Sequence, residues 1–192
     1  IILSFFSISL LIAAIGITSN KYSNSLQKQL VSENATATRM VELTASIETY
    51  LYQSLFTLSS LNEVEDVDSE QITFDEPNAE MLTERFEYNI DQVKQAFDAL
   101  EQLIELNVGD DFVAINELII ECDERFFLYE QLSLEWFELL NENGEQSSTF
   151  FTTSISPYFR VNILPTISEL REEVIHQQIT ENAMLDDQIQ TS

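Results

Sequence analysis

A chain of 192 residues has room for one domain with a real core, and its three glycines and three prolines are too few for the many turns of an all-β domain. Eight basic residues stand against 34 acidic ones, a formal net charge of −26, which repels phosphate backbones and anionic lipid surfaces and excludes nucleic acid as a partner. The single cysteine, Cys122, excludes a disulfide within the chain.

Residues 1–17 read IILSFFSISLLIAAIGI and carry no charge. The run falls short of the ~20 apolar residues that cross a bilayer. The chain begins at Ile1 without an initiator Met, so the expectation is a transmembrane helix over 1–18, truncated at its start. The alternative is the apolar stretch of a signal peptide, for which Ala13-Ala14-Ile15-Gly16 is a poor cleavage site. Residues 19–192 would then form one domain in the periplasm or outside the cell, tethered to the bacterial inner membrane.

Four helical stretches follow. From about Ser19 to Asn62, Met40, Thr44, Ile47, Leu51, Ser54, Leu58 and Leu61 recur at alternating spacings of four and three, the seam of a helix that packs on neighbours. An acidic link over 62–76 contains no Lys or Arg. Its Asp66, Asp68, Glu70 and Ile72 resemble part of a calcium loop, but Gln71 stands where such loops need Gly and Pro77 where they need a bidentate Glu. It is read as an acidic loop. Asp75 or Asn78 beside Pro77 starts the second helix, whose seam is Leu82, Phe86, Ile90, Val93, Phe97, Leu100 and Ile104. Gly109 closes it and Asp110 caps the third. The third seam runs Phe112, Ile115, Ile119, Cys122, Phe126, Tyr129, Ser133, Trp136 and Leu140. Residues 147–154 read as a polar connection around Phe150 and Phe151. Ser156-Pro157 then opens a fourth helix with Ile163, Ile167, Leu170 and Val174 on its seam, bent or delayed by Pro165.

Short links make sequential helices antiparallel. The middle helices have about thirty residues, roughly 45 Å at helical rise, and the outer two are about a dozen residues longer. Fold class is therefore all-α: an antiparallel up-down four-helix bundle with long first and fourth helices, preceded by a transmembrane helix. The long outer helices return together to one membrane, so a second membrane span is expected just after Ser192.

A membrane helix running into a heptad helix, two shorter middle helices, and a long return helix with a Pro near its start resemble the four-helix-bundle sensor domains of bacterial sensor histidine kinases and methyl-accepting chemoreceptors. The resemblance is architectural and covers the whole chain. Ala37-Thr38-Arg39-Met40 also resembles the Arg-Met element of nitrate-sensor and pilus-chemoreceptor bundles; the flanking residues depart from it, and no ligand role is carried over to Arg39. The resemblance implies signal sensing, a homodimer, and cytoplasmic output domains beyond this chain.

No Gly-rich phosphate loop, nucleophile elbow or paired-His metal motif occurs, so neither a catalytic centre nor a metal or cofactor site is expected in these residues. Carboxylates are so common that pairs of them read as solvated helix faces. Cys122 belongs to the apolar seam, and His176 has no Cys or His partners for a zinc site. The rare cations carry more information. Aligning the helices by rise puts Arg85 and Arg160 near one level with Tyr52, Trp136 and Tyr129, in the half far from the membrane. Arg160 lies three and seven residues before Ile163 and Ile167, so it is expected on their seam. A seam arginine needs a partner: a carboxylate such as Glu48, Glu84 or Glu135, or an anionic ligand boxed by those aromatics.

The leading reading is the input domain of a two-component sensor histidine kinase. It would dimerise through the outer helices and pass a small piston or rotation across the membrane. Ligand binding would fall to Arg85, Arg160, Tyr52, Trp136 and Tyr129. The alternatives are a module that docks a periplasmic binding protein through its acidic loop and distal aromatics, the input domain of a chemoreceptor or diguanylate cyclase, and a membrane-anchored structural coiled coil.

Overall fold

The structure is a computed structural model that describes residues 35–63, 79–106, 112–142 and 144–191. The expected membrane helix, residues 64–76 of the acidic link, and the turn residues Gly109 and Asp110 lie outside the described residues. No helix among the described residues is long and apolar enough to cross a membrane.

The described residues are all helical, with no strand among them, and hold four helices: α1 over 35–63, α2 over Ala79–Leu106, α3 over Val113–Glu142 and α4 over 144–191. The seams read from the sequence form the core. All seven seam residues of α1 are buried, as are Leu82 to Leu100 on α2 and Phe112 to Trp136 on α3 at the expected positions. Ile104 and Leu140, at the seam ends, are half-buried. The hydroxyls on the α1 seam cost little, because Thr44 donates to the carbonyl of Met40 at 3.0 Å and Ser54 to that of Leu51 at 2.8 Å.

The fourth helix differs from its expected form. It starts at 144, and residues 147–154 are helix, not a connection. Their hydroxyls satisfy themselves within the helix: Thr149 bonds the carbonyl of Glu145, Thr152 that of Ser148 and Thr153 that of Thr149. Two π-helical turns, Phe151–Ile155 and Phe159–Ile163, interrupt the α geometry, separated by the short α segment Ser156–Tyr158. Each π turn ends two residues before a proline, Pro157 or Pro165.

Phase explains why the turns are needed. Ser147, Phe151, Ile155, Phe159, Ile163 and Ile167 are all buried, four residues apart throughout. An unbroken α-helix would turn by about 2,000° between Ser147 and Ile167, leaving the two side chains on nearly opposite faces. A π turn takes in one residue more than an α turn, so two of them bring the rotation to about 1,800°, five whole turns. All six side chains then point into the core. Beyond Leu164 the helix is regular, and Ile167, Leu170 and Val174 continue the face at spacings of three and four.

Partner residues fall in number as those on the first helix climb. Between α1 and α4, Thr38 meets Gln178, Glu48 meets Arg171, Tyr52 meets Phe159, and Asn62 meets Ser148. Between α2 and α3, Phe86 packs on Phe137 at 5.3 Å, Lys94 pairs with Glu130 at 2.6 Å, and Phe97 packs on Phe126 at 5.9 Å. Between α3 and α4, Arg125 meets Asn162, Tyr129 meets Phe159, and Trp136 meets Phe151.

Candidate functional site

Functional chemistry, where it occurs, has to be built from the few polar groups inside an apolar core. The most connected set lies where α1, α3 and α4 meet at the second π turn. Tyr129 of α3 is fully buried, and its hydroxyl lies 3.1 Å from Ser54 Oγ of α1. Its ring meets Phe159 edge-on with centroids 5.3 Å apart, and Phe159 in turn meets Tyr52 at 5.9 Å. Burial pushes the Tyr129 hydroxyl well above the ordinary tyrosine range, so it acts as a neutral hydrogen-bonding group.

One turn earlier on α3, Arg125 fastens that helix to α4. Its guanidinium donates to the Asn162 carbonyl at 3.1 Å, to Thr166 Oγ1, and to Glu121 on its own helix. The Arg125 carbonyl accepts from the Tyr158 hydroxyl at 3.1 Å. Asn162 and Tyr158 flank the centre of the π turn, so Arg125 binds the segment whose geometry sets the phase of the rest of α4. Arg125 is not among the sequence-predicted site residues. The signal was present, since Arg125 is the only cation between Val113 and Glu142. Arg125→Ala is expected to lower stability by about 1.5 kcal/mol through loss of charge-assisted bonds to α4. Arg125→Lys should recover less than half, because a single ammonium cannot reproduce the planar fork. Urea unfolding of the two variants checks this.

The sequence-predicted ligand residues divide into two groups. Tyr129 and Trp136 are fully buried core residues with internal partners; the Trp136 indole donates to the Ser147 carbonyl at 3.0 Å. Tyr52 is half exposed, and Arg85 and Arg160 are exposed with no ion pair among the described residues. Arg160 does not lie on the seam. The π turn gives the buried position to Phe159 and turns Arg160 outward. Glu48, considered as its partner, pairs instead with Arg171 at 2.8 Å. Arg39 pairs with Glu42 one turn along its own helix. Nor do Arg85 and Arg160 share a level. Phe86, beside Arg85, meets Phe137, whereas Phe159, beside Arg160, meets Tyr129; these α3 residues are eight apart, about 12 Å of helix.

A shallow groove of about 510 Å³ lies at the junction of α3 and α4, lined by Leu139, Glu145, Gln146, Thr149, Phe150 and Thr153. It contains none of the five predicted residues. Cys122 is buried, and its thiol is pushed up to about 12, mainly by burial, which makes it inert as a nucleophile. Among the described residues no group of three or more His, Cys, Asp or Glu side chains is placed to hold a metal ion.

Carboxylates crowd where α2 passes α3. Glu101 and Asp123 are both raised from their ordinary values, first by partial burial and then by neighbouring carboxylates: Asp123, Asp98 and Glu105 for Glu101, and Asp98 and Glu124 for Asp123. A raised acid binds protons in the folded state before it does in the unfolded chain. Stability should therefore rise as pH falls from neutrality toward the upper edge of the carboxylate range, and added salt at neutral pH should act in the same direction. Thermal melts at pH 7.5 and 5.5, each with and without salt, measure both effects. A lower melting temperature at pH 5.5 would contradict this electrostatic account.

No family model matches the chain, and no curated protein and no solved structure matches it.

Proposed function

We propose that the chain is the extracytoplasmic signal-sensing domain of a transmembrane receptor, a two-component sensor histidine kinase, built as an antiparallel up-down four-helix bundle behind a membrane helix over 1–18. The observation that carries the reading is the pairing of α1 with α4 from Thr38–Gln178 to Asn62–Ser148. Such pairing sets the late part of α4 beside the early part of α1, into which the uncharged apolar run over 1–17 leads. A helix pair with that arrangement can carry a sliding or rotating displacement to one membrane. The two π turns of α4 favour this role, since π and α turns differ by a single residue and their exchange shifts everything beyond them. Exposed Phe56 on α1 and Val161 on α4 suit a homodimer formed through these outer helices. Arg160 and Tyr52 remain the surface residues for an anionic ligand.

Locking the pair tests the reading. Thr38→Cys and Gln178→Cys, in a Cys122→Ser background of the full-length receptor in membranes, place two thiols where a 3.0 Å side-chain hydrogen bond now stands. Oxidation is expected to fix kinase autophosphorylation at one level, several-fold from that of the reduced receptor, and reduction to restore it. A disulfide that forms without changing output would overturn helix displacement as the mechanism.

A further inference from the structure

α3 has a second apolar line besides its core seam. Val113, Ile120, Phe127 and Leu134 are seven residues apart, and each is about half exposed or more: 53%, 49%, 60% and 49%. Seven residues turn an α-helix by about 700°, only 20° short of two turns, so the four side chains form one gently wrapping stripe. The stripe lies away from the core, because Ile115, Cys122, Tyr129 and Trp136, two residues further on in each heptad, are buried. It spans about 32 Å, the length of a helix of some twenty residues.

Charge beside the stripe has one sign. Glu117, Glu124, Glu135 and Glu138 are exposed on the same outward side of α3. On the α2 side stand Asp98, Glu101 and Asp123, close enough for their charges to repel one another. The two nearby cations are both engaged, Lys94 with Glu130 and Arg125 with Glu121 and α4. A second copy of this chain would bring an equally acidic border against the first, and like charges in register oppose that pairing.

We propose that the outward stripe of α3 docks a cationic amphipathic helix of a partner protein, its apolar residues on Val113, Ile120, Phe127 and Leu134 and its lysines or arginines on the flanking carboxylates. A line of apolar residues at a regular helical repeat favours a helix lying along it over an irregular loop as the occupant. The acidic border supplies steering and polarity, and the apolar line supplies the contact. This interaction is independent of the sensor reading, for it needs only the folded helices.

The test uses the full 192-residue chain in phosphatidylcholine nanodiscs, with empty nanodiscs as the blank. The probes are a 21-residue Leu/Lys heptad peptide, a scrambled peptide of the same composition, and a Leu/Glu heptad peptide, titrated by fluorescence anisotropy. The Leu/Lys heptad is expected to bind at least tenfold more tightly than the other two. Phe127→Ser and Ile120→Ser should each weaken it about tenfold, while Ile179→Ser, an equally exposed apolar residue on α4, should not. Equal binding of the scrambled peptide, or no effect of Phe127→Ser, would reduce the surface to unspecific charge and overturn the proposal. Self-association of the chain that Phe127→Ser abolishes would overturn it too, by assigning the stripe to a second copy.

Discussion

Trp136→Ala is expected to cost about 4 kcal/mol of folding stability, the largest loss from any single side chain described above. Trp136 is fully buried, meets Phe137 at 5.1 Å and Phe151 at 6.3 Å, and donates its indole N–H to the Ser147 carbonyl. It therefore holds the end of α3 to the start of α4 by both packing and a directed bond. Trp136→Phe keeps a ring but loses the donor and should cost about 2 kcal/mol. The chain has one tryptophan, so unfolding has to be followed by far-UV circular dichroism in urea instead of fluorescence. A loss below about 1 kcal/mol for Trp136→Ala would mean that the site collapses around the gap and that the α3–α4 junction does not depend on it.

Deleting one residue from α4 should have opposite consequences at two positions. Removing Thr152, exposed in the first π turn, lets that turn close as a regular α turn and keeps the downstream phase. The expected cost is about 1 kcal/mol, in the range of an ordinary surface change. Removing Glu169, equally exposed but in the regular part of the helix, turns Leu170 and Val174 about 100° away from the core. With roughly 2 kcal/mol for each displaced side chain, that deletion should cost about 4 kcal/mol. Equal costs at both positions would contradict the phase argument for the π turns.

The seams of α1, α2 and α3 were legible because alternating threes and fours match the α-helical period, and burial follows them up to the end residues Ile104 and Leu140. The first half of α4 was not legible for the same reason. Its run of fours from Ser147 to Ile167 does not fit an α-helix, and the Ser/Thr-rich stretch between reads as a connection unless the hydroxyls turn back onto their own helix. That lost phase also misplaced Arg160, which the α period sets on the seam and the π turn sets outside it. For the candidate site, residue type was a poor guide to exposure. Trp136 and Tyr129 bear polar groups that a ligand could use, but each finds its partner inside the protein. Arg125 was missed because its acceptors, Asn162 and Thr166, lie on α4 in a segment whose register was not readable.

Whole-cell labelling tests the central claim, that this domain faces outward from a membrane tether. Thr49→Cys puts a thiol on an exposed position of α1, while Cys122 stays buried and unreactive. In cells expressing the full-length protein with Thr49→Cys, a membrane-impermeant maleimide should label it as completely before lysis as after, and the labelled protein should sediment with the inner membrane. Labelling that appears only after lysis would contradict an extracytoplasmic sensor and place these four helices on the inner side.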